Sequence, residues 1–172
     1  NGASFGLHRT SDQEEHFILT EQPTLGSINT NPMVGPWVIS EIMYHPPKLP
    51  DENISNELAE FIEIENISGT NQVLHDPNHP ENRWQLGGVV VFDFPVMPSL
   101  QPNSRLLIVG FNPADPALLS NFRSHYQIPD SIPVTGPWKG KLNHAGEALE
   151  LMQPDSPDPG NVPYILVDKV AF

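Results

Sequence analysis

The sequence contains no cysteine in its 172 residues. This absence excludes disulfide bonds, zinc sites built on thiolates and thiol catalysis. It leaves the cellular compartment open, because many exported bacterial proteins also lack cysteine, whereas small secreted eukaryotic domains tend to use it.

Basic residues and long apolar runs are also scarce. Lys and Arg number 8 against 21 Asp and Glu, which gives a net charge of −13. A chain this acidic is repelled by nucleic acids and by anionic lipid, so neither is expected as a partner. No apolar run approaches the ~20 residues that a membrane-spanning helix needs, so no membrane insertion is expected. The chain opens on Asn1 with no recognisable signal peptide, and we interpret it as a fragment of a longer polypeptide.

Proline, in contrast, is abundant, with 20 residues beside 12 glycines. Each proline removes a backbone donor and clashes with the preceding turn, which argues against long helices. Short strands joined by proline-rich loops fit this composition better. The length suits one domain, or one domain with an extra arm.

The N-terminal segment differs from the rest of the chain. Residues 1–32 are polar apart from a short apolar patch at Phe17–Leu19, and "PTLGSINTNP" is typical of turns and linkers. The sequence therefore predicts an extended arm or linker over residues 1–32, with at most two short strands. The β-domain is predicted over residues 33–172.

Alternating apolar residues predict the first strands of that domain. In "WVISEIMY" one face is predicted to contain Trp37, Ile39, Glu41 and Met43. In "AEFIEIEN" the side chains of Ile62 and Ile64 point one way, with Glu60 at the head of that face, and Glu63 points the other way.

Turn signals and one helix signal follow. Gly87 and Gly88 predict a hinge between two strand pieces. "NPADPALLSNFRSHY" is the convincing helix candidate, with Asn112 as its cap and Pro113 at its first position. "EALELM" and the final "YILVDKVAF" are strand-like. About seven strands separated by turn signals predict an antiparallel β-sandwich with one short helix.

Three carboxylates lie on two strands that are predicted to be neighbours: Glu41, Glu60 and Glu63. Paired acids can act as general acid and base, or hold a divalent cation. Glu60 and Glu63 fall on opposite faces of one strand, so they are not expected to point into one site. We interpret these acids as solvated or as partners of backbone donors.

Histidines and loop acids are the other candidates for metal ligands. The 7 histidines match no compact metal motif, and "HDPNH" (His75–His79) lies in a proline-broken loop instead of on a helix face. In "DSPDPGN" three oxygen-bearing side chains are weak calcium candidates: Asp155, Asp158 and Asn161. The EF-hand spacing is missing, so a surface loop without metal is the default interpretation.

Other site patterns are weak. The sequence has no nucleophile elbow, P-loop or dinucleotide fingerprint. "NIS" occurs at residues 53–55 and 66–68, and is a glycosylation acceptor only on a eukaryotic secretory route. Three tryptophans, Trp37, Trp84 and Trp138, are expected to pack in or beside the core. Carbohydrate stacking on an exposed tryptophan is the alternative.

Several pieces, taken in order, resemble the lamin-tail domain family. They are "VISEIMYHPP", "ELAEFIEIENISG", "WQLGGVVVFDFP", "LQPNSRLLIVG", "GPWKGKLNHAGEALELMQP" and "VDKVAF". The resemblance covers residues 38–172. "GASFGLHR" and "PTLGSINTNP" are similar to the tail that follows the last strand of such domains. The resemblance implies a further segment after Phe172 that is not in this sequence, and we therefore expect a sheet edge that the domain does not close itself.

The resemblance implies an immunoglobulin-like fold, no catalytic residues and no cofactor. It implies a non-catalytic interaction or spacer module of a larger exported or bacterial surface protein. Its partner would be another protein or neighbouring domains of the same polypeptide. The arm over residues 1–32 is expected to lie along the open edge of its own or a neighbouring molecule, which allows self-association.

Two alternative functions stay open on the residues alone. One is a carbohydrate- or calcium-binding module that uses an exposed tryptophan or the loop over residues 155–161. The other is a metal-dependent hydrolase that uses Glu41, Glu60 and His45.

Overall fold

The computed structural model describes residues 4–9, 15–20, 22–30, 35–47, 56–142, 148–155 and 162–172. The chain divides into two compact units, Asn1–Gly35 and Pro36–Phe172. The predicted boundary between residues 32 and 33 lies outside the described residues.

The first unit is built on a hairpin. Strands β1 (Ser4–Arg9) and β2 (Glu15–Thr20) pair antiparallel. Ser4 Oγ and Thr20 Oγ1 share a hydrogen bond of 2.7 Å. The loop after β2 is attached to the hairpin, because Asn29 Nδ2 donates to the carbonyl oxygen of Leu7 at 3.0 Å. The segment therefore contains two short strands, the largest number that the sequence predicts for it, and these strands pair with each other.

The second unit contains nine strands, one α-helix and a 3-10 turn over Asn56–Ala59 within its described residues. The strands, in chain order, are β3 (Trp37–Met43), β4 (Phe61–Asn66), β5 (Gln85–Gly88), β6 (Val90–Asp93), β7 (Arg105–Val109), β8 (Val134–Thr135), β9 (Lys139–Gly140), β10 (Ala148–Pro154) and β11 (Tyr164–Ala171).

These strands form two sheets. One has four strands in the order β3-β4-β7-β8, and the other has five in the order β11-β10-β5-β6-β9. All neighbours pair antiparallel except β7 and β8, which are parallel. This all-β sandwich of immunoglobulin-like character confirms the predicted fold class.

The main core lies between the two sheets. Ile62, Ile64 and Ile108 contribute from the four-stranded sheet, and Leu86 and Leu149 from the five-stranded sheet. All of these side chains are buried. The alternation of "FIEIEN" therefore places the isoleucines inward, as its period of two predicts.

A second apolar cluster lies on the other face of the four-stranded sheet. Helix α1 (Pro116–Tyr126) packs Phe122 there against Phe61 and Val109. The helix begins one proline later than predicted: Asp115 is its cap, and Asp115 Oδ1 accepts the backbone N–H groups of residues 117 and 118 at 2.9 and 3.2 Å. Asn112 instead accepts the N–H of Ala114 and closes the preceding turn.

Strand β3 contains a β-bulge, which changes the face on which its later side chains lie. The register shifts between Ile39 and Glu41, so Ser40 is the extra residue. Trp37 and Ile39 face the main core, whereas Met43 packs with the α1 cluster. The prediction that Trp37, Ile39, Glu41 and Met43 share one face is therefore wrong, because one inserted residue reverses every side chain after it.

The predicted hinge between β5 and β6 is present. Gly88 has a φ of +89°, and a Cβ atom there would lie 2.1 Å from the carbonyl oxygen of Ala148. Only glycine tolerates both the conformation and the close approach. The turn brings Gln85 opposite Asp93 and Leu86 opposite Phe92.

Candidate functional site

The three predicted carboxylates do not converge. Glu41 and Glu63 are direct neighbours across β3 and β4. Glu60 precedes β4 by one residue, so its side chain has the direction of Ile62 and Ile64, away from the other two. Within the described ranges, no group of three His, Asp or Glu side chains could hold a metal ion.

Glu63 belongs to a small polar strip on the sheet face. Ser40 Oγ donates to Glu63 Oε1 at 2.7 Å. Arg105 Nε lies 3.4 Å from Glu63 Oε1 and 3.4 Å from Glu65 Oε2. The guanidinium group partly offsets the repulsion between the adjacent carboxylates, which is a structural role of modest energy on a partly exposed surface.

Glu60 has the unusual environment among these acids. Its side chain is buried, so the interpretation of this acid as solvated is wrong. The physical reason is its place at the head of the inward face of β4. Its pKa is raised from 4.5 to about 7, chiefly by burial and secondly by the nearby Glu57 carboxylate, while Lys141 opposes the rise. Lys141 Nζ itself pairs with Glu57 Oε1 at 2.8 Å. Glu60 therefore changes charge close to neutral pH.

The third hydrolase residue, His45, is exposed at the end of β3. It precedes two prolines that end the strand, as the sequence predicts. Glu41 is exposed whereas Glu60 is buried and has the direction of the opposite sheet face, so these two acids do not point into one site.

The "HDPNH" loop is an ordered turn. Asp76 Oδ1 accepts the backbone N–H groups of Asn78 and His79 at 2.8 and 3.3 Å. His79 Nδ1 lies 3.3 Å from Glu81 Oε1. The isolated bridge between His75 and Arg83 closes the base of the loop. His79 thus lies beside Glu81, whereas His75 lies at the base of the loop.

The loop forms one wall of a cavity of about 230 Å³, which we name the polar pocket. Its polar and aromatic lining comes from His75, Asp76, Asn78, Trp84, Gln153 and Asp155, together with two prolines. The buried Nδ1 atom of His75 has no hydrogen-bond partner among the described residues. Sequence reasoning considered His75 and Asp155 separately and missed that the end of β10 brings them to one cavity.

The predicted calcium set is only partly within the described residues. Asp155 lines the polar pocket, and its backbone N–H donates to the carbonyl oxygen of Pro163 at 2.9 Å. Asp158 and Asn161 lie outside the described residues.

The tryptophans are core residues. Trp37, Trp84 and Trp138 are 0%, 4% and 7% exposed, which agrees with the predicted packing. None of the three offers an open ring face for stacking on a sugar. Trp84 also lines the polar pocket.

The "NIS" sequence at residues 66–68 cannot be glycosylated in the folded chain, because its asparagine is inaccessible. Asn66 is fully buried, and its Nδ2 group donates to the carbonyl oxygens of Thr70, Leu100 and Gln101 at 3.0, 3.1 and 3.0 Å. Its Oδ1 atom accepts the N–H of Ser68 at 3.0 Å. The other sequence, at residues 53–55, lies outside the described residues.

The hairpin of the first unit exposes apolar side chains. Phe5 lies opposite Leu19, and Leu7 lies opposite Phe17, so these four side chains form one face, which we name the hairpin face. Phe5, Phe17 and Leu7 are 70%, 73% and 43% exposed. Contiguous exposed apolar faces are a common feature of interaction sites in soluble proteins. The sequence signal was the alternation in "SFGLH", which sequence reasoning missed.

The second exposed apolar feature is the outermost strand of the five-stranded sheet. Strand β11 has one neighbour, β10, in that sheet. Ile165 and Leu166 on β11 are exposed. Nearer its end, Asp168 Oδ2 accepts the N–H of Ile39 at 2.8 Å and ties β11 to β3. We name the exposed side of Tyr164–Leu166 the β11 edge.

Comparison with protein-family models, with curated proteins and with solved structures gives no match for this chain. Among the described residues, no helix has the length and apolar character to cross a membrane.

Proposed function

We propose that this chain is a non-catalytic, protein-binding or spacer module of a larger exported or cell-surface protein, of the lamin-tail type. The observation that carries the proposal is the hairpin face, with two phenylalanines more than two-thirds exposed. An apolar face of this kind is costly in water and is stabilised when a partner covers it. The immunoglobulin-like sandwich and the ordered series of lamin-tail-like motifs support the family assignment.

The partner we propose is the β11 edge of a second copy of this chain. A hairpin is marginally stable alone, and it gains by pairing with a further strand. The β11 edge offers backbone groups on an outer strand together with exposed Ile165 and Leu166. Addition of a strand to a sheet edge is a common mode of protein recognition. A nucleic-acid or anionic lipid partner is disfavoured by the net charge of −13.

Polar substitution of the hairpin face tests this proposal. We expect the wild-type chain to self-associate with rising concentration, and Phe5→Ser/Phe17→Ser to weaken that association at least tenfold, because the buried phenyl surface provides the driving force. Sedimentation equilibrium measures both. The matched control is Leu25→Ser/Ile28→Ser, since these residues are 99% and 94% exposed but lie outside the hairpin face. Equal loss of association in both variants would contradict the proposal.

Because the chain lacks cysteine, engineered cysteines can locate the contact. Mixing Phe5→Cys with Leu166→Cys under mild oxidation should give a crosslinked heterodimer, whereas Leu25→Cys mixed with Val96→Cys should not. A single chain that carries both Phe5→Cys and Leu166→Cys should crosslink between molecules. A crosslink formed within that chain at high dilution would overturn the second-copy assignment and place the hairpin on its own sandwich.

A further inference from the structure

The 3-10 turn over Asn56–Ala59 leads directly into Glu60 and strand β4. We propose that this turn is a pH-sensitive latch, which is closed on the α1 cluster while the Glu60 carboxyl group is protonated and opens when that group ionises. The latch is separate from the hairpin face and acts within the single chain. Its opening makes an apolar surface of the sandwich more accessible as the pH rises.

The closed turn covers part of the α1 cluster. Leu58 packs against that cluster, and Ala59 is buried. Tyr126 Oη donates a hydrogen bond to the carbonyl oxygen of Ala59 at 2.7 Å, which ties the turn to the end of α1. The Tyr126 ring packs edge-on against Phe61, with ring centroids 5.2 Å apart. Release of the turn would therefore remove Leu58 from the cluster and leave these two rings more exposed.

Glu60 places an ionisable group at the base of this turn. The residue is only 8% exposed, and within the described chain no donor forms a hydrogen bond with its carboxyl group. A buried carboxylate that lacks such a donor is strongly disfavoured relative to the neutral acid. Once the proton is lost, movement of the carboxylate into water relieves this cost. Because Glu60 follows Ala59 directly, that movement displaces the turn.

The charged groups around Glu60 favour the same response. Glu57, on the turn itself, repels a second carboxylate, and Lys141, in the segment after β9, attracts it. Lys141 Nζ is already paired with Glu57 Oε1 at 2.8 Å, so its charge is partly offset before Glu60 ionises. From α1 the facing group is Tyr126, whose pKa is raised above 10.0 by burial and by Glu41 on β3. The Tyr126 hydroxyl therefore keeps its proton throughout the neutral range.

Proton linkage gives the direction and size of the response. In the open state Glu60 is solvated and has its ordinary pKa of 4.5, whereas in the closed state its pKa is about 7. The open state therefore binds fewer protons between these two values, and a rise in pH favours it. With these two values, the equilibrium constant for opening should increase about 70-fold between pH 5 and pH 8.

Hydrogen exchange of the Glu60 backbone amide, followed by nuclear magnetic resonance in the full chain, measures this opening. The amide donates to the carbonyl oxygen of Glu57 at 3.4 Å, so it exchanges when the turn opens. After correction for intrinsic exchange, its opening constant should rise about 70-fold from pH 5 to pH 8 and should exceed the global unfolding constant from urea titration. Ser27 supplies the reference amide, since it donates to the carbonyl oxygen of Thr24 at 3.0 Å in the other unit and should change less than about threefold. An opening constant that is independent of pH, or equal to the global unfolding constant, would overturn the latch.

Three variants assign the response to the named groups. Glu60→Gln keeps the shape of the side chain and removes its ionisation, so the opening constant at residue 60 should change less than about threefold between pH 5 and pH 8. Lys141→Met removes the attracting charge and should make the pH response larger than in the wild type. Lys169→Met is the matched control, because Lys169 pairs with Glu150 at the same distance of 2.8 Å on the five-stranded sheet, and the wild-type response should remain. A wild-type response in Glu60→Gln, or equal responses in the two lysine variants, would contradict the proposal.

Discussion

Asn66→Asp is expected to destabilise the sandwich by about 3–5 kcal/mol at pH 7, although it exchanges one side-chain NH2 group for an oxygen. The Nδ2 group of Asn66 faces three carbonyl oxygens, of Thr70, Leu100 and Gln101. The substitution would place a carboxylate oxygen against these acceptors in place of a donor. The buried charge would then be unpaired, which is among the most costly single changes in a protein.

The size of the effect reflects what Asn66 connects. Its own backbone N–H donates to the carbonyl oxygen of Ser104 at 2.9 Å, and its carbonyl oxygen accepts the N–H of Asn103 at 2.8 Å. Together with the side-chain bonds, these contacts join the end of β4 to the turn before β7. One residue thus holds two loops at the same end of the sandwich.

Urea unfolding measures this prediction, with Asn71→Asp as the matched control. Asn71 is exposed in the same loop region, so the same chemical change should cost less than about 0.5 kcal/mol there. Protonation of the introduced carboxylate would restore one donor at the buried position, so the loss should be smaller at pH 4 than at pH 7. Equal midpoints for the two variants at pH 7 would show that the buried amide does not hold the loops together.

The sequence alone was sufficient for the parts of the fold that depend on period-two alternation and on turn residues. The inward isoleucines of β4, the hinge at Gly88 and the final strands follow from local chemistry that is visible in the sequence. The bulge at Ser40 does not, because "WVISEIMY" has no glycine or other mark of an extra residue. The predicted start of α1 is wrong because "NPADP" offers two cap-and-proline pairs, and the local sequence does not distinguish the first from the Asp115–Pro116 pair that begins the helix.

The candidate sites were less predictable for a physical reason. The polar pocket joins residues about 80 positions apart, and their proximity depends on how β10 ends beside the "HDPNH" turn. To predict the hairpin face, one must know that β1 pairs with β2 in the register that places Phe5 opposite Leu19. Neither sheet pairing nor register is encoded in a short motif.

Glu60→Gln is expected to stabilise the protein at alkaline pH and to have little effect in acid. The pKa of Glu60 rises from 4.5 to about 7 on folding, chiefly because its side chain is buried. Below about pH 4 the carboxyl group is protonated in both the folded and unfolded states, so it does not lower the free energy of unfolding. As the pH rises through 7, the folded state must hold a buried charge, and stability is lost.

The decisive measurement is therefore the difference in free energy of unfolding between the variant and the wild type, determined at several pH values. The gain in free energy of unfolding from Glu60→Gln should be close to zero at pH 4 and about 3 kcal/mol at pH 8, from 1.36 kcal/mol for each unit of the pKa rise from 4.5 to about 7. Glu57→Gln should lower the pKa of Glu60, because it removes a repelling carboxylate and releases Lys141 from its ion pair. Glu81→Gln, at an exposed site, should show no comparable pH dependence. If Glu60→Gln changes stability equally at pH 4 and pH 8, ionisation of Glu60 is not what limits stability near neutral pH.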